Sequence, residues 1–113
     1  MTSFKLLFAV LSCAAGVLSL DSAVVYSEES CKGATQVIEP DGECNLLNDD
    51  LSRRARGAKV PENVVCDFYD DKSCSQPLWI GMEDPGSCNF AEFEIENKAV
   101  SVVCYDDSRP DEM

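Results

Sequence analysis

Short runs of β-branched and aromatic residues alternate along the chain with polar turns rich in glycine, proline and acidic residues. Runs of this length between such turns are typical of β-strands. They predict strands at residues 23–26, 35–38, 44–47, 63–69, 77–80, 90–95 and 100–104. The segment 48–61 shows no alternation of apolar and polar residues, so we expect an exposed irregular loop there, with a helical turn near residues 51–55.

The second half of this pattern repeats the first. The segment from Tyr26 to Cys31 aligns with that from Tyr69 to Cys74 without a gap, residues 42–46 align with 86–90, and residues 63–66 align with 101–104. Two repeats, 23–66 and 64–105, predict one all-β domain, a two-motif antiparallel β-sandwich of about eight strands. Residues expected in the shared core are Val25, Val37, Leu46, Val64, Phe68, Ile80, Phe90 and Val102.

The amino terminus has the pattern of a secretory signal peptide. Lys5 precedes an apolar run over residues 6–18, and small residues follow it. A membrane span would need about twenty apolar residues, so we expect residues 1–19 to be removed, with cleavage after Ser19 or Ser22 left open. The protein is then expected to be secreted and extracellular, with no membrane span and with an acidic, disordered tail at residues 106–113.

The chain is strongly acidic, with 21 aspartates and glutamates against nine lysines and arginines and a net charge of −12. Loss of residues 1–19 removes Lys5 and no acid, which makes the net charge −13. Such a charge repels phosphate backbones and anionic lipids, so nucleic-acid and membrane binding are disfavoured. We expect a monomer that contacts an extracellular protein or a cell-surface component.

Six cysteines remain after the signal peptide: Cys31, Cys44, Cys66, Cys74, Cys88 and Cys104. An even number in so short a secreted chain predicts three disulfides. A zinc site is disfavoured because the chain has no histidine and no C-x2-C spacing. Each repeat holds three cysteines, so at least one bridge must join the repeats. Several pairings stay open; the favoured one joins Cys31 with Cys44, Cys74 with Cys88, and Cys66 with Cys104.

The repeats resemble the Greek-key motif of βγ-crystallins. The resemblance rests on Tyr26 followed seven residues later by Gly33, on the equivalent Tyr69, and on Ser101 in a Ser-Val strand near the end of the second repeat. It implies a two-motif Greek-key β-sandwich in which the glycine permits a folded-over first hairpin and the serine hydrogen-bonds back to a hairpin. The second repeat has Gln76 in place of the glycine, and the first has Asn63 in place of the serine.

Calcium-binding members of that family carry an acidic or amide pair two residues before a Ser/Thr-Ser step. Residues 96–101 keep Glu96, Asn97 and Ser101 but have Val100 where a hydroxyl ligand is expected, and residues 58–63 keep almost nothing of the pattern. Because Ca²⁺ needs a converging set of oxygen ligands, Asn97 and Ser101 are only weak metal candidates. We expect no metal and no cofactor.

Catalytic constellations are scarce. Without histidine or a free thiol the Ser-His and Cys-His schemes are excluded. The acidic pairs, Asp70 with Asp71 and Glu92 with Glu94, suit glycosidase chemistry in principle, but so acidic a chain contains such pairs by chance. We therefore expect no enzyme activity and no catalytic residue.

The basic run Arg53, Arg54 and Arg56 is the remaining candidate site. It suits cleavage by a dibasic-specific protease, a bait loop for a trypsin-like protease, or docking on an acidic partner, and a merely solvated loop is the alternative. The chain resembles small secreted, cysteine-rich effector-like or killer-toxin-like proteins of fungi. We expect a non-catalytic interaction protein; the alternatives are a protease inhibitor and a structural or calcium-binding crystallin-like module.

Overall fold

The computed structural model describes residues 21–108, and within them eight strands form two four-stranded antiparallel sheets. The strands of the first half are β1 (Ala23–Glu28), β2 (Lys32–Ile38), β3 (Asn45–Leu46) and β4 (Gly57–Lys59). Those of the second half are β5 (Val64–Tyr69), β6 (Pro77–Met82), β7 (Gly86–Ser87) and β8 (Ser101–Asp106). The expected signal peptide and residues 109–113 of the expected tail lie outside the described residues.

Each sheet takes three strands from one half of the chain and one from the other. The strand orders are β2-β1-β4-β7 and β3-β8-β5-β6, so exchanging β1–β4 with β5–β8 converts one order into the other. The third strand of each half therefore completes the sheet of the other half. This architecture confirms the prediction of an all-β, two-motif sandwich, and it explains why the two halves form a single unit.

The same exchange relates individual backbone hydrogen bonds. The amide of Arg53 donates to the carbonyl of Ala99 at 2.8 Å, and the amide of Asn97 donates to the carbonyl of Ala55 at 3.0 Å. Positions 53 and 97 are thus equivalent, as are positions 55 and 99. Arg53 and Asn97 also share a left-handed backbone, with φ of 59° and 62°.

The register corrects the alignment of residues 63–66 with 101–104. Tyr26 pairs with Gly57 in the first sheet, and Tyr69 pairs with Ser101 in the second. Gly57, rather than Asn63, is therefore the equivalent of Ser101, and the first repeat ends its last strand at Lys59. The two Val-Val-Cys runs instead lie on neighbouring antiparallel strands of one sheet, where Cys66 pairs with Cys104.

The core lies between the sheets and contains five of the eight residues expected there: Val25, Val64, Phe68, Phe90 and Val102. The other three expectations are wrong, since Val37, Leu46 and Ile80 are 57%, 51% and 55% exposed. They lie on β2, β3 and β6, which are edge strands. An apolar residue on an edge strand has fewer neighbours to cover it, and single exposed apolar residues are common on protein surfaces.

Segment 48–61 is not the exposed loop that its composition predicts. Leu51, Ala55 and Ala58 are fully buried, and Val60 is nearly so. The short strand β4 lies between β1 and β7, inside the first sheet. The predicted strand at 90–95 is also wrong, because Phe90–Phe93 forms a 3₁₀ helix.

The disulfides join Cys31 with Cys88, Cys44 with Cys74, and Cys66 with Cys104. The last pair agrees with the sequence-based pairing, and the other two pairs contradict it. The reason is the exchange of third strands, which carries Cys44 and Cys88 away from the hairpin of their own half. Both cross-links therefore join the two halves.

The carboxyl-terminal boundary lies beyond the predicted residue 105. Strand β8 runs to Asp106, and the amide of Asp107 donates to the carbonyl of Asn63 at 2.8 Å. Across residues 21–108, no helix has the length and apolar character needed to cross a bilayer.

Candidate functional site

The basic run projects from a structured segment, which we call the arginine turn (residues 51–56). Leu51 and Ala55 anchor its two ends in the core with no exposed surface. Between them, Arg53 has φ of 59° and its amide is bonded to the opposite half of the domain. The backbone of Arg56 is fixed as well, because its amide donates to the carbonyl of Tyr26 at 2.9 Å. The arginine side chains therefore extend from an ordered backbone.

Beside the arginine turn lies an open depression of about 850 Å³, which we call the basic depression. Its walls are the arginine turn, the β1–β2 turn and one residue of the second half. The residues that line it are Ser27, Glu28, Glu29, Ser30, Lys32, Arg53, Arg54, Arg56 and Asn97. It thus collects four of the nine lysines and arginines of the chain. Lys32 is a member of this group that sequence reasoning missed, because it lies far from the arginine run in the chain.

Two of these cations have partners within the domain. Arg53 approaches Asp70, with Nη1 3.1 Å from Oδ1 and Nη2 3.4 Å from the main-chain carbonyl oxygen. Nε of Arg56 lies 3.6 Å from Oε2 of Glu96 and 3.5 Å from Oδ1 of Asn97. Neither Lys32 nor Arg54 forms an ion pair with any residue from 21 to 108. These two exposed cations are the ones available to a ligand.

The residues of the crystallin-like motif support the hairpins. Ser101 is fully buried, and its hydroxyl donates to the carbonyl of Asp71 at 2.5 Å, in the β5–β6 turn. Gly33 has φ of 83°, and a Cβ there would overlap Oγ of Ser27 and Cγ of Glu28. Glycine tolerates both conditions. Tyr26 and Tyr69 occupy equivalent positions on β1 and β5.

The corrected register also changes which residues of the first half correspond to the calcium-ligand pattern. The equivalent of residues 96–101 in the first half is residues 52–57, not 58–63. Arg53 stands at the second position of the acidic pair, and Arg56 stands where the hydroxyl ligand is expected. Ser101 directs its hydroxyl to a carbonyl group, and the oxygens of Glu96 and Asn97 face a guanidinium.

These residues do not fit a calcium ion, since Ca²⁺ needs six to eight converging oxygen ligands. Within the part of the chain that the structure describes, no three acidic, cysteine or histidine side chains cluster as metal ligands would. The weak candidates Asn97 and Ser101 take part in separate hydrogen bonds, Asn97 with Arg56 and Ser101 with the carbonyl of Asp71.

Hydrogen bonds and burial shift the pKa of three side chains, and each shift is away from neutral pH. Hydrogen bonds from the hydroxyl of Ser75 and the amide of Gln76 hold the pKa of Asp71 well below its usual range. The amide of Ser108 lowers the pKa of Asp106. Burial, with the nearby Asp67 and Asp71, raises the pKa of Tyr69 above its usual value. None of these shifts prepares a general acid or base for work near pH 7.

A second depression, of about 690 Å³, lies on the outer face of the first sheet. Its lining includes Val24, Val60, Pro61 and Pro85, with Lys59 at its side. The ammonium of Lys59 lies 5.8 Å from the centre of the Tyr26 ring. This surface is more apolar than the basic depression and carries fewer convergent charges.

No protein-family model matches the chain, and no curated protein matches it. Solved structures of similar fold include a βγ-crystallin domain from Clostridium beijerinckii, with a TM-score of 0.59 and 19% identity over 75% of this chain and 98% of that one. The N-terminal domain of protein S has a TM-score of 0.58 and 13% identity, over 75% of this chain and 96% of that one.

A structure described under the evolution of the eye lens βγ-crystallin domain fold has a TM-score of 0.64 and 11% identity, over 78% of this chain and 88% of that one. At these identities the likeness concerns the fold. With the exchanged third strands and the paired hairpins, it shows that residues 21–108 form a disulfide-linked domain with the βγ-crystallin fold.

Proposed function

We propose that the protein is a secreted, non-catalytic interaction domain that docks through the basic depression onto acidic groups of an extracellular partner. The observation that carries this proposal is the collection of four cationic side chains in one depression of a chain whose net charge is −12. On so acidic a surface, a local basic site selects where an acidic partner can approach.

Lys32 and Arg54 are the contact residues in this proposal. Both are exposed, and neither has an ion pair within residues 21–108. Arg53 and Arg56 are already engaged with Asp70 and Glu96, and they keep the walls of the depression in place. A partner that presents two carboxylate, sulfate or phosphate groups would complement Lys32 and Arg54. Nearby Glu28 and Glu29 would repel ligands whose charges lie elsewhere.

The alternatives have less support. A protease inhibitor holds an extended bait loop that a protease can enter, whereas Arg53 has a left-handed backbone and its amide is bonded to Ala99. Cleavage after Arg53-Arg54 needs the same extended conformation. A calcium-binding module has less support because arginines stand at two positions of the ligand pattern.

The proposal predicts that Lys32→Ser combined with Arg54→Ser abolishes partner capture without changing the melting temperature. The matched control is Lys72→Ser combined with Lys98→Ser, which removes two positive charges from exposed residues outside the depression. The disulfide-linked protein and both variants are immobilised and exposed to extracellular extracts, and a captured protein is then measured against each by surface plasmon resonance.

We expect the wild type and the Lys72/Lys98 control to capture the same partner, with binding that weakens as salt rises. A panel of trypsin-like proteases, assayed alongside, should show no inhibition. Equal capture by the Lys32/Arg54 variant would contradict the proposed site, and stoichiometric inhibition of one protease would favour the inhibitor alternative.

A further inference from the structure

Two arginines of the first half direct their guanidinium groups at oxygen atoms of the second half. Arg56 contacts the oxygens of Glu96 and Asn97, which belong to the acidic part of the ligand pattern in the second half. Arg53 contacts the carboxylate and the main-chain carbonyl oxygen of Asp70, in the β5–β6 turn. We propose that these guanidinium groups replace the bound calcium ions, so that the domain neither requires nor takes up Ca²⁺.

Arg56 corresponds most directly to the calcium-ligand pattern. Its position in the first half is equivalent to Val100, where the family pattern has a hydroxyl ligand. The longer side chain of arginine extends from there to the acidic pair of the other half, with Nε 3.6 Å from Glu96 and 3.5 Å from Asn97. Glu28 and Glu29 line the same depression as Arg56, which adds two carboxylates to that surface.

Arg53 provides a second contact of this kind, with the β5–β6 turn. It is equivalent to Asn97, as the paired main-chain hydrogen bonds to Ala99 and Ala55 show. An arginine at this position cannot donate an oxygen to a metal ion, since guanidinium has five N–H donors and no acceptor. It instead brings a positive charge to Asp70. Both arginines therefore belong to the first half, and both contact oxygens of the second half.

A covalently attached cation has a different consequence from a bound one. A bound ion stabilises the folded state in proportion to the logarithm of its free concentration, because it binds only that state. A guanidinium stays charged throughout the accessible pH range and cannot dissociate from the chain. The melting temperature of this domain should thus not depend on the calcium concentration. This expectation holds whether or not the basic depression binds a partner.

The test combines calcium titration with the variant Arg56→Ser, which removes the guanidinium and restores a hydroxyl at the ligand position. Arg54→Ser is the matched control, because it removes the same charge from a neighbouring residue that has no ion pair within residues 21–108. Melting temperature and isothermal calorimetry are measured for the disulfide-linked proteins in EDTA and in about 5 mM CaCl₂, above the roughly 10⁻³ M range of weak extracellular calcium modules. MgCl₂ at the same concentration controls for ionic strength.

We expect the wild type and Arg54→Ser to show the same melting temperature in EDTA and in calcium, with no heat of binding. Arg56→Ser should melt about 1–5 °C lower in EDTA and recover part of that loss in calcium but not in magnesium. A calcium-dependent rise in the melting temperature of the wild type would overturn the proposal. So would an Arg56→Ser variant that responds to calcium no more than Arg54→Ser does.

Discussion

At the scale of single residues, the β5–β6 turn is held by two side chains that form hydrogen bonds with its backbone. Ser101 donates its hydroxyl to the carbonyl of Asp71 from the neighbouring strand β8. The carboxylate of Asp71 accepts hydrogen bonds from the amides of Ser75 and Gln76, at 3.0 and 2.9 Å. The turn is therefore held by both its own residues and the sheet beneath it.

The hydrogen bonds to Asp71 make stability depend on pH. They favour the ionised carboxylate, so the pKa in the folded state is lower than the value of about 3.9 expected for an unfolded chain. The resulting stabilisation is present above about pH 4 and is lost as pH falls through the folded-state pKa, because the unfolded state then binds the proton more readily. Asp71→Asn should lower the melting temperature at pH 7 and flatten its decline below about pH 4.

Thermal melts between about pH 7 and pH 2 test this expectation. Glu62→Gln is the control, since Glu62 is exposed and its carboxylate accepts no hydrogen bond from residues 21–108. A decline with the wild-type slope in Asp71→Asn would show that other carboxylates govern acid unfolding.

At the scale of elements, six of the eight strands could be predicted, whereas the short strands β4 and β7 and the pairing between strands could not. Runs of β-branched and aromatic residues identify β1, β2 and β5 as strands. They do not always identify the buried face, since Val37 of β2 was expected in the core and is 57% exposed. The exchange of β3 and β7 between sheets leaves no mark in that pattern, because both strands contain two residues. The predicted pairs, Cys31 with Cys44 and Cys74 with Cys88, joined cysteines that are neighbours in the chain and were therefore wrong.

The candidate site could be predicted only in part, because some of its residues come together only through the pairing of distant segments. The run Arg53, Arg54 and Arg56 is visible in the sequence as its main basic feature. The contributions of Lys32, Asp70 and Glu96 depend on contacts between segments that are distant in the chain. The sequence consequently predicted an exposed irregular loop at residues 48–61, whereas Leu51 and Ala55 are buried and two of the three arginines form ion pairs.

Leu51 in the arginine turn and Leu46 on β3 allow a direct comparison of a buried and an exposed leucine. Leu51 has no exposed surface and belongs to the core, whereas Leu46 is 51% exposed on an edge strand. Leu51→Ala should reduce the free energy of unfolding by about 2–5 kcal/mol, because it removes buried methyl groups and leaves a cavity. Leu46→Ala should change it by less than about 1 kcal/mol.

Urea denaturation of the two variants, with disulfides intact, measures this difference. The sequence pattern predicts the opposite order, since it placed Leu46 in the core and Leu51 in a loop. Equal losses in the two variants would contradict the burial of the arginine turn.

At the scale of the whole molecule, neither half is complete without the other. Each sheet needs a strand from the other half, two disulfides cross between halves, and each arginine that is paired contacts the opposite half. The asymmetry lies in the third disulfide, which joins neighbouring strands β5 and β8 of the second half alone. The equivalent positions of the first half are Ala23 and Val60, which pack in the core without a cross-link.

Mapping the disulfides of the protein tests this account most directly, because the pairing depends at once on oxidation, on register and on the exchange of third strands. Digestion without reduction, followed by mass spectrometry, should yield linked peptides for Cys31–Cys88, Cys44–Cys74 and Cys66–Cys104, with no alkylatable thiol among these six. Linked peptides for Cys31–Cys44 and Cys74–Cys88 would place each third strand in its own half and would contradict the exchanged sandwich.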